Sequence, residues 1–154
     1  MSITTRLATV TGAALAATAL AGSLATAPQA SAADELSWRN VGTGECMVNG
    51  DDGVLRTIDC APIASHMWAT SGNSILTLRG LQSGLCLDDS AYGLRQFACN
   101  GMTYQQWEVT TFGDGDSKLR NVATGDCLED AHVGVGGLRT FPCNSSSHQE
   151  WVWM

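Results

Sequence analysis

The sequence predicts an all-β fold in which three copies of one four-stranded unit close into a threefold barrel with a capped end. Three observations predict it. Cysteine pairs recur in register with tryptophans: Cys46 and Cys60 precede Trp68, Cys86 and Cys99 precede Trp107, and Cys127 and Cys143 precede Trp151. The first cysteines stand 40 and then 41 residues apart and the tryptophans 39 and then 44, so a unit of about 40 residues occurs three times. The intervening segments are short, punctuated by glycine and rich in alternating apolar residues, which is strand and turn chemistry. A propeller has similar repeats but typically needs at least four blades.

The first element is not part of that fold. Residues 1–32 carry one basic residue, Arg6, then an Ala-rich apolar run from Leu7 to Ala27, then Pro28 and the small residues Ala30, Ser31 and Ala32. This order matches an export signal cleaved after Ala32, and a secreted, extracellular protein is expected. A retained anchor is the competing reading, but Thr and Gly interrupt the run and no later segment is long and apolar enough to span a bilayer.

Residues 33–154 then form one domain, about 122 residues, enough for a real core. Seven basic residues face fifteen acidic ones there, a formal charge of −8, which argues against nucleic acid as a partner. Six cysteines in an exported chain imply disulfides. An arrangement used three times must pair within each copy: Cys46 with Cys60, Cys86 with Cys99, Cys127 with Cys143. Each link closes a short loop and contributes roughly 3 kcal/mol in the chain-entropy picture. Zinc is the competing use of the cysteines, but no CxxC pair occurs, and His66, His132 and His148 are not spaced as ligands.

The repeats run over about 36–72, 73–112 and 116–154. Trp38, Leu78 and Leu119 each precede the first cysteine by eight positions, followed by Arg39, Arg79 and Arg120 and by the turn-like runs VGTGE, LQSGL and VATGD. In the second copy strands are expected near 75–79, 85–88, 93–97 and 105–110, and in the third near 118–122, 126–129, 137–141 and 149–153. Trp68, Trp107 and Trp151 are read as core converging near the threefold axis, joined by Leu55, Leu94 and Leu138.

The second copy contains Cys86-Leu87-Asp88, then Cys99, then Gln105-Gln106-Trp107. The third contains Cys127-Leu128-Glu129, Cys143 and Gln149-Glu150-Trp151. The first departs from this, with Cys46-Met47-Val48 and with His66-Met67-Trp68 in place of QxW. With three such units in register, the chain resembles the ricin B-type lectin domain, a β-trefoil, and is similar to family 13 carbohydrate-binding modules. The resemblance covers all of residues 33–154 and implies a monomer that binds carbohydrate without cofactor or reaction.

Alternation along a strand places Asp88 on the side of Cys86, and Arg95 and Phe97 on the side of Cys99. Asp88 and Phe97 are therefore expected side by side over one shallow outward pocket. That pair suits a neutral sugar, whose C–H face lies on an aromatic ring while adjacent hydroxyls donate to a carboxylate. Gln105 adds an amide that donates and accepts. The resemblance makes this the sugar pocket, with two departures: the platform is Phe97 rather than Trp or Tyr, and Tyr104 stands where the family has Asn. Arg95 has two readings, a partner that positions Asp88 or Asp89, or a contact to ligand hydroxyls or an acidic sugar.

The third copy offers Glu129, Arg139, Phe141, His148 and Gln149 in the same roles, with a carboxylate reaching one methylene further. The second copy is thus expected to be the main site. The first copy has Val48 and Ile58 for acid and ring and is expected to be structural only. Asp51-Asp52-Gly53 and Asp114-Gly115-Asp116 lack the remaining ligands of a calcium loop and read as turns, so no metal site is expected. No nucleophile motif occurs, and a glycosidase needs two placed carboxylates in one cleft. The rival functional class is a β-trefoil that binds protein or inhibits an enzyme through its loops, with vestigial pockets.

Overall fold

The computed structural model describes residues 34–131 and 137–154; the expected export signal lies outside them. Twelve strands are present among the described residues, four per copy. The first set is β1 (Asp34–Asn40), β2 (Cys46–Asn49), β3 (Leu55–Ile58) and β4 (Met67–Gly72). The second is β5 (Ile75–Gly80), β6 (Cys86–Ser90), β7 (Gly93–Phe97) and β8 (Trp107–Thr111). The third is β9 (Ser117–Asn121), β10 (Cys127–Asp130), β11 (Leu138–Phe141) and β12 (Trp151–Trp153).

β1 pairs with β4 and β12, β5 with β4 and β8, and β9 with β8 and β12, all antiparallel. Six strands thus close into a ring with no free edge, which removes the unpaired backbone an open sheet would expose. The other six form the hairpins β2–β3, β6–β7 and β10–β11. Each hangs from the barrel by one equivalent pair: Arg39 with Cys46, Arg79 with Cys86, Arg120 with Cys127. The hairpins meet one another across one barrel end, β11 contacting both β3 and β7. This is a β-trefoil.

Trp68, Trp107 and Trp151 are fully buried, together with Trp38, Leu78, Leu119, Met47, Leu87 and Leu128, and Leu55, Leu94 and Leu138 pack against that cluster. Burying one indole removes on the order of 200 Å² from water, about 5 kcal/mol before entropy costs. The polar edges of the Trp68, Trp107 and Trp151 rings are also satisfied. The indole Nε1 atoms donate to the carbonyls of Met47, Leu87 and Leu128 at 3.3, 3.1 and 3.1 Å, the residue after the first cysteine of the same copy. The disulfides are the expected three, and every cysteine is paired.

A ring of polar contacts ties each copy to the next. Asn49 Oδ1 accepts from the N–H groups of Gln82 and Ser83 at 2.9 and 3.3 Å, Asp89 Oδ2 from Thr124 Oγ1 at 2.6 Å, and Asp130 Oδ2 from Thr43 Oγ1 at 2.6 Å. These three residues occupy one equivalent position and grip the turn that follows β5, β9 and β1. Their burial without such partners would be costly.

One boundary differs from expectation. The last strands begin at Trp107 and Trp151, whereas Gln105 and Gln149 close 3-10 turns over Thr103–Gln105 and Ser147–Gln149. The Gln105 N–H bonds Met102 O at 2.9 Å, and its side chain Oε1 takes the N–H of Asn100 at 2.8 Å, so the chain folds back on itself before it extends. The DDG and DGD runs form turns: Gly53 and Gly115 take φ of 75° and 96°, and Asp52 and Asp114 accept N–H groups two residues on.

Candidate functional site

Asp88 stands in β6 directly opposite Arg95 in β7, and Phe97 stands opposite Cys86, so the disulfided hairpin carries all three. Their arrangement differs from the expected acid beside ring. Asp88 is only 2% exposed, and Arg95 comes between, its Nε donating to Asp88 Oδ1 at 2.9 Å while its guanidinium carbon lies 4.2 Å from the Phe97 ring centre. The physical reason is desolvation: a carboxylate buried this far needs a cation, and the guanidinium gains by resting on an aromatic face. The second flank is Tyr92, whose ring centre is 5.0 Å from the same carbon.

Gln105 lies behind the acid. It is fully buried, and its Nε2 donates to Asp88 Oδ2 at 3.3 Å and to Ala98 O at 2.9 Å. It therefore orients the carboxylate and has no free edge for a ligand. Tyr104 is exposed, and its carbonyl accepts from Asn121 Nδ2 at 2.8 Å. Phe97 keeps 41% of its surface exposed.

The third copy repeats this geometry. Arg139 Nε donates to Glu129 Oε1 at 2.8 Å, and its Nη2 reaches the same oxygen. Its guanidinium carbon is 4.8 Å from the Phe141 ring centre. Gln149 Nε2 donates to Glu129 Oε2 at 2.9 Å and to Pro142 O at 3.2 Å, while its Oε1 accepts from Asn144 N at 2.8 Å. Here an open depression of about 260 Å³ is lined by Glu129, Ala131, Arg139, Phe141, Asn144, Ser146 and His148. Burial pushes the Glu129 carboxyl up, but the hydrogen bonds from Arg139 and Gln149 and the charges of Arg139 and His148 outweigh it, so the group sits below its ordinary value.

The first copy keeps the frame without the chemistry. Val48 lies opposite Arg56, which turns to Asp52 at 2.8 Å on the surface, and Ile58 replaces the ring. His66 takes the place of Gln: its Nδ1 accepts the N–H of Ala61 at 2.9 Å, as the Gln Oε1 atoms accept from Asn100 and Asn144. Its Nε2 has no acceptor among the described residues, because the carboxylate that would meet it is Val48.

Nine of the ten residues named from sequence fall into these two clusters, one around Asp88 with Arg95 and one around Glu129 with Arg139; the contact seen for Tyr104 is that of its carbonyl with Asn121. The hydrogen bonds add Asn144 and Ser146 to the third, and the stacking adds Tyr92 to the second. An aromatic in the β6–β7 turn, two residues before Leu94, was the available signal for Tyr92. Nothing in spacing alone marks Asn144 or Ser146. Among the described residues no group of three acidic, His or Cys side chains is placed to hold a metal, and no helix is long and apolar enough to cross a membrane.

The family model of the ricin-type β-trefoil lectin domain matches residues 74–154, more than half of the chain. The chain belongs to that family. The match begins at the second copy, so the two copies that carry the ricin-type constellation are the ones it spans. No curated protein matches the chain.

Solved structures resemble this ricin-type domain in fold. A designed threefold-symmetric protein, ThreeFoil, aligns with TM-score 0.69 at 18% identity over 78% of this chain and 97% of its own. A ricin B-like lectin of Macrolepiota procera, solved in complex with lactose, aligns with TM-score 0.68 at 16% identity over 81% and 97%. An exo-β-1,3-galactanase from Clostridium thermocellum aligns with TM-score 0.67 at 18% identity over 82% of this chain, which spans 30% of that enzyme's length.

Proposed function

We propose that this ricin-type domain is a secreted, monomeric lectin that binds carbohydrate non-covalently through its second and third copies. The observation that carries the reading is the ion pair set on an exposed ring: Glu129 with Arg139 over Phe141, and Asp88 with Arg95 over Phe97. A sugar hydroxyl both donates and accepts. A carboxylate oxygen and the outer nitrogens of the neighbouring guanidinium offer it both partners at once, and the exposed part of the ring takes the sugar's C–H groups. The depression at Glu129 supports the third copy as a site equal to the second, not subordinate to it.

Each pocket is shallow and its affinity weak, so two on one scaffold would gain by avidity on a polysaccharide or a glycan-coated surface. Three disulfides suit an oxidising compartment and support export. No turnover is proposed: Asp88 and Glu129 lie in different copies, each engaged by its own arginine, whereas glycoside hydrolysis needs an acid and a second carboxylate across one bond.

A pull-down on polysaccharides, together with a glycan array, tests the reading. Retention by the parent protein and loss in the double variant Asp88→Asn, Glu129→Gln is the expected result. Absence of any glycan ligand, or retention undiminished in the double variant, overturns it. One observation favours the protein-binding alternative: both guanidinium groups already cover the rings. Capture of a defined protein partner by the parent and by Asp88→Ala alike, with no glycan bound, would decide for that alternative.

A further inference from the structure

The open depression in the third copy is ringed by hydrogen-bond donors. Its acid has little left to accept with: Glu129 Oε1 takes Nε and Nη2 of Arg139, Oε2 takes Gln149 Nε2, and the side chain is 7% exposed. A carboxylate accepts at about four places, so roughly one remains. Arg139 is 52% exposed, and its Nη1 has no partner among the described residues. Ser146 Oγ accepts the N–H of His148 at 3.2 Å, which leaves its hydroxyl hydrogen to donate. Asn144 Oδ1 accepts the N–H of Ser146 at 2.8 Å, a turn that fixes the side chain, while its Nδ2 reaches Pro142 O only at 3.4 Å.

A second cation stands at the same wall. Lys118 Nζ donates to the carbonyl of Asn144 at 2.5 Å and lies 5.5 Å from the centre of the Phe112 ring, which favours it there. The next acid along β10, Asp130, leaves the strand from the opposite face and accepts from Thr43 Oγ1 at 2.6 Å. Around the depression the positive charges of Arg139 and Lys118 therefore meet the single carboxylate of Glu129.

The second copy keeps one of these features and loses the rest. Met102 stands where Ser146 does, each preceding the 3-10 turn before QxW, and Tyr104 stands where His148 does, each preceding the Gln. Thr77 replaces Lys118, each two residues before the arginine that pairs with the first cysteine of its copy. Arg95 is 32% exposed, flanked by the rings of Tyr92 and Phe97. Only Asn100 matches Asn144, its Oδ1 accepting the N–H of Met102 at 2.9 Å. The two pockets thus present different chemistry: rings and a thioether in the second, donors and cations in the third.

We propose that the third copy selects an acidic sugar, whose carboxylate accepts from Arg139, Asn144 Nδ2 and Ser146 Oγ while its ring lies on Phe141, and that the second copy takes neutral sugar. This rests on the lectin reading and adds to it the ligand class of one pocket. A sugar carboxylate presents acceptors only, which matches a wall of donors, and its bonds to a guanidinium are charge-assisted. The formal charge of −8 over residues 33–154 does not decide the matter, since salt screens exposed charges beyond about 8 Å at physiological ionic strength and the donors act in contact.

The test is retention of the purified protein on polygalacturonate, alginate and hyaluronate, each compared with the same polymer after its carboxyl groups have been reduced to alcohols. The parent should be retained on at least one acidic polymer and bind its reduced form about tenfold more weakly, as loss of a charge-assisted hydrogen bond implies. Asn144→Asp keeps the oxygen that holds the turn, as Asp52 and Asp114 do in theirs, and replaces the donor by a negative oxygen. It should abolish acidic retention at an unchanged denaturation midpoint. Lys118→Thr, the residue of the second copy, should weaken that retention about threefold. Equal retention on the reduced polymers, acidic retention undiminished in Asn144→Asp, or no retention on any of the three acidic polymers each overturns the proposal, and the polymer comparison decides whether or not that variant folds. Neutral glycans retained by the parent when no acidic polymer is would leave the lectin reading standing, so the two failures are distinguishable.

Discussion

The guanidinium carbon of Arg95 lies 4.2 Å from the centre of the Phe97 ring while Nε of the same side chain holds the buried carboxylate of Asp88 at 2.9 Å. Arginine is therefore both the counter-ion of the acid and the surface a ligand first meets. Arg95→Ala should weaken glycan binding at the second copy and lower stability by about 2 kcal/mol, the usual worth of a hydrogen bond to a charged group. Calorimetric titration and chemical denaturation measure the two effects. Tighter glycan binding in this variant would instead make Arg95 a lid over the ring.

The contact between copies supplies a second expectation. Asp89 accepts from Thr124 Oγ1 at 2.6 Å and from Thr140 Oγ1 at 2.9 Å, both in the third copy, and is 2% exposed. Asp89→Ala should lower stability by roughly 2–4 kcal/mol, because two hydroxyls and the turn they steady lose their acceptor. A denaturation midpoint unchanged from the parent would show that this clasp does not hold the second and third copies together.

Acidification should destabilise the fold in two stages. Burial depresses His66 below its ordinary value of 6.5, so the unfolded chain binds the proton first and stability falls as pH drops below that value. Glu129 is also depressed, from an ordinary 4.5, so its contribution is complete above that value and is lost as pH falls through the folded value. Melting temperature against pH should show both slopes. His66→Gln should remove the upper one and Glu129→Gln the lower, and persistence of either slope in its variant contradicts the assignment.

The first copy can be used to rebuild the missing chemistry. Val48 occupies the carboxylate position opposite Arg56, and among the described residues His66 Nε2 lacks an acceptor. Val48→Asp should raise the His66 titration midpoint seen by NMR, since a carboxylate at that place favours the imidazolium. A midpoint that stays where it is in the parent would mean that the first copy does not superpose on the other two at this point.

Period and spacing made the fold readable. Three Cys-Cys-Trp units in register dictate the threefold closure, the disulfide pairing and the buried tryptophans, because a repeat leaves only within-copy solutions. The members of the site were readable as well, since Asp88, Arg95 and Phe97 sit at fixed offsets from the cysteines. Their mutual arrangement was not. Alternation says which face a side chain leaves from, but not that Arg95 is long enough to bridge acid and ring, nor that Gln105 turns inward to orient the carboxylate. The clasps of Asn49, Asp89 and Asp130 were equally hidden, because each reaches into the next copy and leaves no signal in its own.

The most direct test of the central claim is a crystal structure of the protein with a glycan that it retains in the array or pull-down. The account predicts a sugar ring against Phe141 or Phe97, with a hydroxyl between the carboxylate of Glu129 or Asp88 and the outer nitrogens of its arginine. That glycan bound away from both hairpins would contradict it.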